Sequence, residues 1–193
     1  MTTTGSSPSE RLLDVASRLF YAEGIHAVGV DRVIAEASVA KATLYAHFPS
    51  KAELVAAYLA RQSRAWIDAA ERRLSTAPAG SAEAVLTLFD LLYDDSRSAD
   101  YRGCPFINAA AEFPGPGPVA TEITRHRDRL RAVLAEAGGP ALAPPGRLDA
   151  LLALYGGAMS AAHLDHDPEI VRHAAAAAAQ LLRADQPAIA TSA

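Results

Sequence analysis

Residues 30–51, VDRVIAEASVAKATLYAHFPSK, constrain this chain most, because they read as two short helices around a tight turn with a third helix starting directly behind. A unit of that kind inserts a helix into DNA. The same stretch carries both lysines of the protein, Lys41 and Lys51, and no Asp or Glu lies between Ala37 and Ala52 to offset them. A polyanion is therefore the first partner to consider.

The charge balance narrows that reading. The formal net charge of −4 excludes a chain coated in positive charge, such as a DNA packager or a polybasic membrane binder. Through Ser75 there are nine Lys/Arg against eight Asp/Glu, and the remainder has nine against fourteen, so the two parts carry about +1 and −5. The first part is the one to meet nucleic acid. The start, MTTTGSSPSE, lacks the apolar segment of a signal peptide, and residues 148–164 are interrupted and fall short of the ~20 apolar residues of a membrane span. The lone Cys104 forms no internal disulfide and suits a reducing cytosol. A soluble, cytoplasmic protein without a membrane partner is expected.

Helix signals recur along the chain. Ser7-Pro8-Ser9-Glu10 supplies a cap, a first-position proline and a capping-box acid, after which Leu12, Leu13, Ala16, Leu19 and Phe20 recur at helical spacing up to a left-handed stop at Gly24. A second capping box, Ser50 to Glu53, opens a long helix with the stripe Leu54, Val55, Tyr58, Leu59, Trp66, Ile67, Ala70 and Leu74, lasting to about residue 77. Further helices are predicted at 81–96, 105–113, 118–137, 146–163 and 168–184, separated by Gly/Pro clusters. No segment alternates like a strand. The fold class is all-α, with about nine helices.

On a helical wheel, Ala40, Leu44 and Phe48 of the segment 40–47 turn inward. Ala42, Thr43, Tyr45 and Ala46 then point outward, flanked by Lys41 and His47. Small residues beside a hydroxyl, a phenol and a lysine let a helix come close to base edges, while Tyr45 and Lys51 suit phosphate oxygens. The amino end of the helix at Ser50 offers them free N–H groups and a partial positive charge.

The stretch VIAEASVAKATLYAHFPSKAEL at 33–54 resembles the N-terminal DNA-binding domain of TetR/AcrR-family transcriptional regulators, in a match covering about residues 9–55. The resemblance implies a helix-turn-helix domain at 8–52, a ligand-binding and dimerisation domain at 53–186, a disordered tail at 1–7 and a loose tail at 187–193. It makes residues 30–37 the supporting helix and 40–47 the recognition helix. Lys41, Ala42 and Thr43 fall where the family touches base edges, and Tyr45, His47 and Lys51 where it grips the backbone. Gly29 stands where the family has a Thr that caps the supporting helix and touches phosphate. Ser38 replaces the usual turn Gly, so a left-handed backbone there carries strain unless the turn has relaxed.

Beyond the first domain the residues speak less directly. Gly156 and Gly157 interrupt a good helix at roughly 1 kcal/mol each relative to Ala, which suggests close approach of another helix. With Ala158, Ser160 and Ala161, and with the Ala-rich run 173–182, they form flat faces. The resemblance implies a homodimer through these last two helices; packing within one subunit is the alternative. Effector candidates are Trp66, Phe89, Tyr93, Phe106, Asn108, Glu112, Phe113, Tyr155, Met159 and His163, with Asn108 and Glu112 as polar contacts, or else as groups bonded to loop backbone or exposed.

Two chemistries compete. Cys104, near Arg102 at a helix start, is a redox or electrophile sensor if its pKa is lowered, and otherwise a small buried residue. His163, Asp165, His166 and Asp167 have the look of a metal cluster, but Asp167-Pro168-Glu169 reads better as a helix start. No catalytic Ser/His/Asp set and no phosphate loop is seen, and no metal or cofactor is expected. The expected function is a regulator rather than an enzyme: a homodimeric repressor released from a double-stranded DNA operator by a small-molecule effector. The competing class is a Cys104-based sensor or a small helical enzyme without DNA binding.

Overall fold

A computed structural model gives the fold, and it describes residues 7–183. The tails expected at 1–7 and 187–193 therefore lie outside the described residues, apart from Ser7. Among those residues every regular element is helical: α1 (Pro8–Glu23), α2 (Val30–Ala37), α3 (Lys41–His47), α4 (Lys51–Leu74), α5 (Ala82–Ser96), α6 (Pro105–Glu112), α7 (Pro118–Gly138), α8 (Arg147–Leu164) and α9 (Glu169–Arg183), with a single 3-10 turn at Gly139–Leu142. The predicted helices are all present. Most ends agree within a residue or two, and the long helix stops at Leu74 rather than about residue 77.

The chain forms two compact units. One runs to Trp66 and takes in Cys104–Arg127; the other comprises Ile67–Gly103 and the chain from Asp128 onward. The first unit is thus larger than the 8–52 segment, because α4 as far as Trp66, α6 and the start of α7 belong to it. Its core gathers Leu12, Ala16, Leu19 and Phe20 from α1, Val33 from α2, Leu44 from α3, Leu54, Val55, Tyr58 and Leu59 from α4, and Phe106, Ala109 and Val119 from α6 and α7. Phe20 and Tyr58 meet edge to face at 5.8 Å. Capping at α1 follows the sequence: Ser7 Oγ accepts from Glu10 N–H, and the Glu10 carboxylate accepts from Ser7 N–H.

The stop at Gly24 differs from expectation. Its φ of 92° is positive, but ψ is 150°, an extended conformation that only glycine tolerates rather than a left-handed helical cap. The chain leaves α1 there into a loop that is held from far away in sequence. The Glu112 carboxylate, at the end of α6, accepts from the Ile25 N–H at 2.9 Å and the His26 N–H at 2.5 Å, and His26 also lies against Phe113. These donors precede α2 and have no helical partner, so Glu112 satisfies what the loop geometry leaves open.

In the second unit α5, α8 and α9 pack together through Leu88, Phe89, Leu92, Leu151, Tyr155, Val171, Ala178 and Leu182. Ser81 caps α5 by accepting from Ala84 N–H. Gly139 comes so close to Gly80 that a Cβ would sit 2.9 Å from its Cα, and its φ of 46° is left-handed, so glycine is required twice over.

Removing the Glu112 carboxylate leaves two loop donors without an acceptor. Glu112→Ala is expected to lower stability by about 1–3 kcal/mol in urea unfolding, and Glu112→Gln, which keeps one acceptor oxygen, by less.

Candidate nucleic-acid interface

Helix α3 is seven residues long, and its inward face explains how so short an element is held. Leu44 is fully buried and Phe48, just past the helix end, is half-buried. Ala40, expected inward, is exposed: it is the residue preceding the helix, with extended φ/ψ, so the helical wheel does not apply to it. Lys41, Ala42, Tyr45, Ala46 and His47 are exposed and Thr43 half-exposed. Tyr45 is 41% exposed, which is unusual for an aromatic residue.

The turn before α3 keeps the left-handed geometry. Ser38 has φ 52° and ψ 50°, and its N–H bonds back to the end of α2 while Val39 N–H bonds to the Ile34 carbonyl. The turn has not relaxed, so Ser38 carries the strain that a glycine would avoid. Gly29 is the residue before α2 and caps without a side-chain bond; its φ of −75° is ordinary, and a Cβ there would meet open space. Nothing steric demands glycine at that position.

Electrostatics at this surface are largely intramolecular. Lys41 Nζ lies 3.0 Å from Asp31 Oδ1, and that hydrogen bond raises the lysine's pKa. Asp31 sits outside the acid-free window and was not singled out by it. Arg32 joins Glu23 and Glu36, and Arg18 joins Glu36, so α1 and α2 are laced by exposed ion pairs that keep Arg32 protonated. Lys51 is half-buried, 6.0 Å above the Phe20 ring, and desolvation lowers its pKa. Ser50 Oγ accepts from Glu53 N–H, the first of the two bonds of the second capping box.

The effector candidates fall in both units. Trp66, Phe106, Asn108 and Glu112 belong to the first unit, and Phe89, Tyr93, Tyr155, Met159 and His163 to the second. Asn108 is exposed, and Glu112 bonds the α1–α2 loop. Phe89 and Tyr155 are each 1% exposed and meet edge to face, which makes them core of the second unit. Tyr93 donates to Glu169 Oε1 beneath the Arg172 guanidinium, and the Met159 carbonyl accepts from Tyr101. His163 is half-buried, its Nδ1 buried without a partner, and its ring meets those of Tyr101 and His166.

Asp167 Oδ1 accepts from Glu169 N–H, the capping role read from the sequence, and among the described residues no group of three His, Cys, Asp or Glu side chains is arranged to hold a metal. A buried polar cluster that the sequence reading passed over lies in the first unit: Ser63, Glu122 and His126 are each at least nine-tenths buried. Its signal was the i, i+4 spacing of Glu122 and His126, masked by the arginines around them.

Cys104 departs from the sensor expectation. Burial pushes its thiol pKa up, outweighing the backbone N–H groups at the start of α6 and the more distant Arg127. A thiol of that kind is protonated at neutral pH and a poor nucleophile. Arg102 is exposed and makes no difference to that balance.

A short exposed helix on a buried leucine, entered through a left-handed turn from a supporting helix, defines a helix-turn-helix protein. Residues 12–58 match the family of bacterial regulatory proteins, tetR family. The chain is similar to SCO4454, a TetR-family transcriptional regulator from Streptomyces coelicolor, at 36% identity and a TM-score of 0.83, over 92% of this chain and 90% of that one. It is also similar to a TetR transcriptional regulator, sav143, from Streptomyces avermitilis, at 27% identity and a TM-score of 0.73, over 90% and 98% of the two chains. The HTH-type transcriptional activator FasR of Mycolicibacterium smegmatis is 36% identical over 90 residues, which are 45% of this chain but only 41% of that protein. The chain belongs to the TetR family of transcriptional regulators. Its relatives are regulators rather than enzymes, and no helix of the described residues is long and apolar enough to cross a membrane.

Alkylation of Cys104 by iodoacetamide measures the thiol directly. Because the folded pKa is raised, the rate in the native protein is expected to climb only at a higher pH than in the urea-unfolded chain. A native rate at neutral pH above the unfolded one would restore the sensor reading.

Proposed function

We propose that this TetR-family regulator binds a double-stranded DNA operator as a two-fold homodimer, acts as a repressor, and leaves the operator when a small molecule binds outside the reading head. The exposed face of α3 over buried Leu44 carries the reading. Lys41, Ala42 and Thr43 meet base edges in the major groove, and Tyr45, His47 and Lys51 meet phosphates on either side. Gly29 lies next to the backbone but brings only its N–H.

Lys41 must exchange Asp31 for DNA, an exchange that costs little because both partners are exposed and water screens them. Lys51 must swing away from the Phe20 ring, and a phosphate compensates its partial desolvation. One recognition helix reads too few base pairs for an operator, so two are needed about 34 Å apart.

Helices α8 and α9 are the proposed dimer surface. Gly156 and Gly157 support this, because a Cβ at either would meet nothing within 4 Å inside the subunit, and Gly157 is exposed. Among the described residues no neighbour packs closely on these two glycines within the subunit. Leu164, 74% exposed at the end of α8, adds apolar area on the same helix. Effector control follows if the ligand binds one spacing of the two heads better than the other, the only way binding energy shifts such an equilibrium.

Mobility shift against the DNA flanking its own gene is the primary test. Tyr45→Phe and Lys51→Ala are expected to weaken binding to all duplexes alike, with Lys51→Ala reducing the salt slope by about 1; an unchanged slope would remove Lys51 from the phosphate contacts. At the dimer face, Gly157→Trp is expected to yield monomers in sedimentation. If no partner lies there, Gly157→Ala instead stabilises the chain by about 1 kcal/mol without altering its mass.

A further inference from the structure

Helices α4, α6 and α7 of the first unit share a buried polar cluster that DNA reading does not use. His126 of α7 is 8% exposed. Its Nδ1 lies 3.1 Å from Ser63 Oγ of α4, its ring stacks on Phe106 of α6 at 3.6 Å, and the Trp66 ring of α4 meets it edge-on at 5.8 Å. One helical turn earlier on the same face of α7 is Glu122, also 8% exposed. Its Oε1 pairs with Arg125, whose side chain is 53% exposed, while its Oε2 is buried and accepts no hydrogen bond.

A buried carboxylate oxygen without a donor is costly and uncommon. Arg125 serves the other oxygen from the solvent side and does not relieve it. What relieves it is a donor, and one bearing positive charge gains most in a poorly hydrated layer. The rings packed on His126, one helical turn along α7 from Glu122, agree: the faces of indole and phenyl rings attract cations and cover apolar bodies. An anion would meet Glu122 head-on, and a neutral hydroxyl would satisfy the oxygen without balancing its charge.

We propose that this α4–α6–α7 layer is the effector site, and that its ligand is an organic cation: a protonated amine with an aromatic or apolar body, its N–H groups on Glu122 and its body against Trp66 and the Phe106–His126 stack. The regulatory meaning of this site rests on the reading of the chain as an effector-controlled DNA binder. Binding itself is measured without DNA, so the two stand or fall separately.

Benzylamine, benzyl alcohol and benzoate share one body and differ in charge, and serve as probes on the full chain. Benzylamine at millimolar concentration is expected to raise the thermal midpoint in a dose-dependent way, and the other two are not. Glu122→Gln should weaken benzylamine about tenfold or more by calorimetry, while raising the midpoint of the ligand-free protein because a buried charge is gone. If that variant does not fold, Glu122→Asp, which keeps the charge and withdraws it, is expected to weaken binding less. Equal shifts from all three probes, no shift from benzylamine, or undiminished benzylamine binding to Glu122→Gln would overturn the site. Benzylamine binding with an unaltered mobility shift would overturn its role as the effector site. A missing shift in the ligand-free protein would count against DNA reading alone.

Discussion

A seven-residue helix has no stability of its own in water, so the reading surface exists only because Leu44 is held in a core built by other helices. Leu12, Leu19, Val33, Leu54 and Tyr58 surround that core, and Phe48 extends it past the end of α3. The outward residues of α3 are presented because the inward ones are anchored. The left-handed Ser38 turn sets the direction in which the chain enters α3, at a cost in strain that the same core must offset.

The second dependence is on a residue distant in sequence. Glu112 bonds the loop between α1 and α2 through two backbone N–H groups, so the supporting helix begins from a point held by α6. Whatever alters α6 is therefore felt at the start of α2. The electrostatics follow a similar economy: Asp31 and Lys41, and the Arg18–Glu36–Arg32–Glu23 chain, balance charge on the surface in the absence of a polyanion. Exposed pairs of this kind are screened by salt and exchange readily, which suits a surface that must trade partners.

Local chemistry made the helices legible. Ser7 with Glu10, Ser50 with Glu53, Ser81 and Asp167 each cap the helix that follows, and glycine and proline clusters separate the rest. Such signals act within four residues, and a sequence displays them in order. The errors came where geometry departs from an idealised helix: Ala40 precedes α3 rather than belonging to its wheel, and Gly24 takes an extended rather than helical positive-φ conformation. The polar groups of the interior were the least legible. Glu112 bonds a loop and Asn108 faces outward, as the alternative expected for the pair has it, whereas Ser63, Glu122 and His126 lay hidden in charge-rich stretches.

By itself the sequence determined the all-helical class, the helix-turn-helix, and which residues of α3 face outward, because each depends on periodicity and caps read along a few turns. Tertiary structure alone decided that Cys104 is half-buried with its thiol pKa pushed up, that Asp31 occupies Lys41, and that Glu122 and His126 turn inward, His126 against the rings of Phe106 and Trp66. Burial and pairing are properties of the neighbours that folding brings up. A histidine on a helix reads the same in sequence whether water or an indole ring lies opposite it.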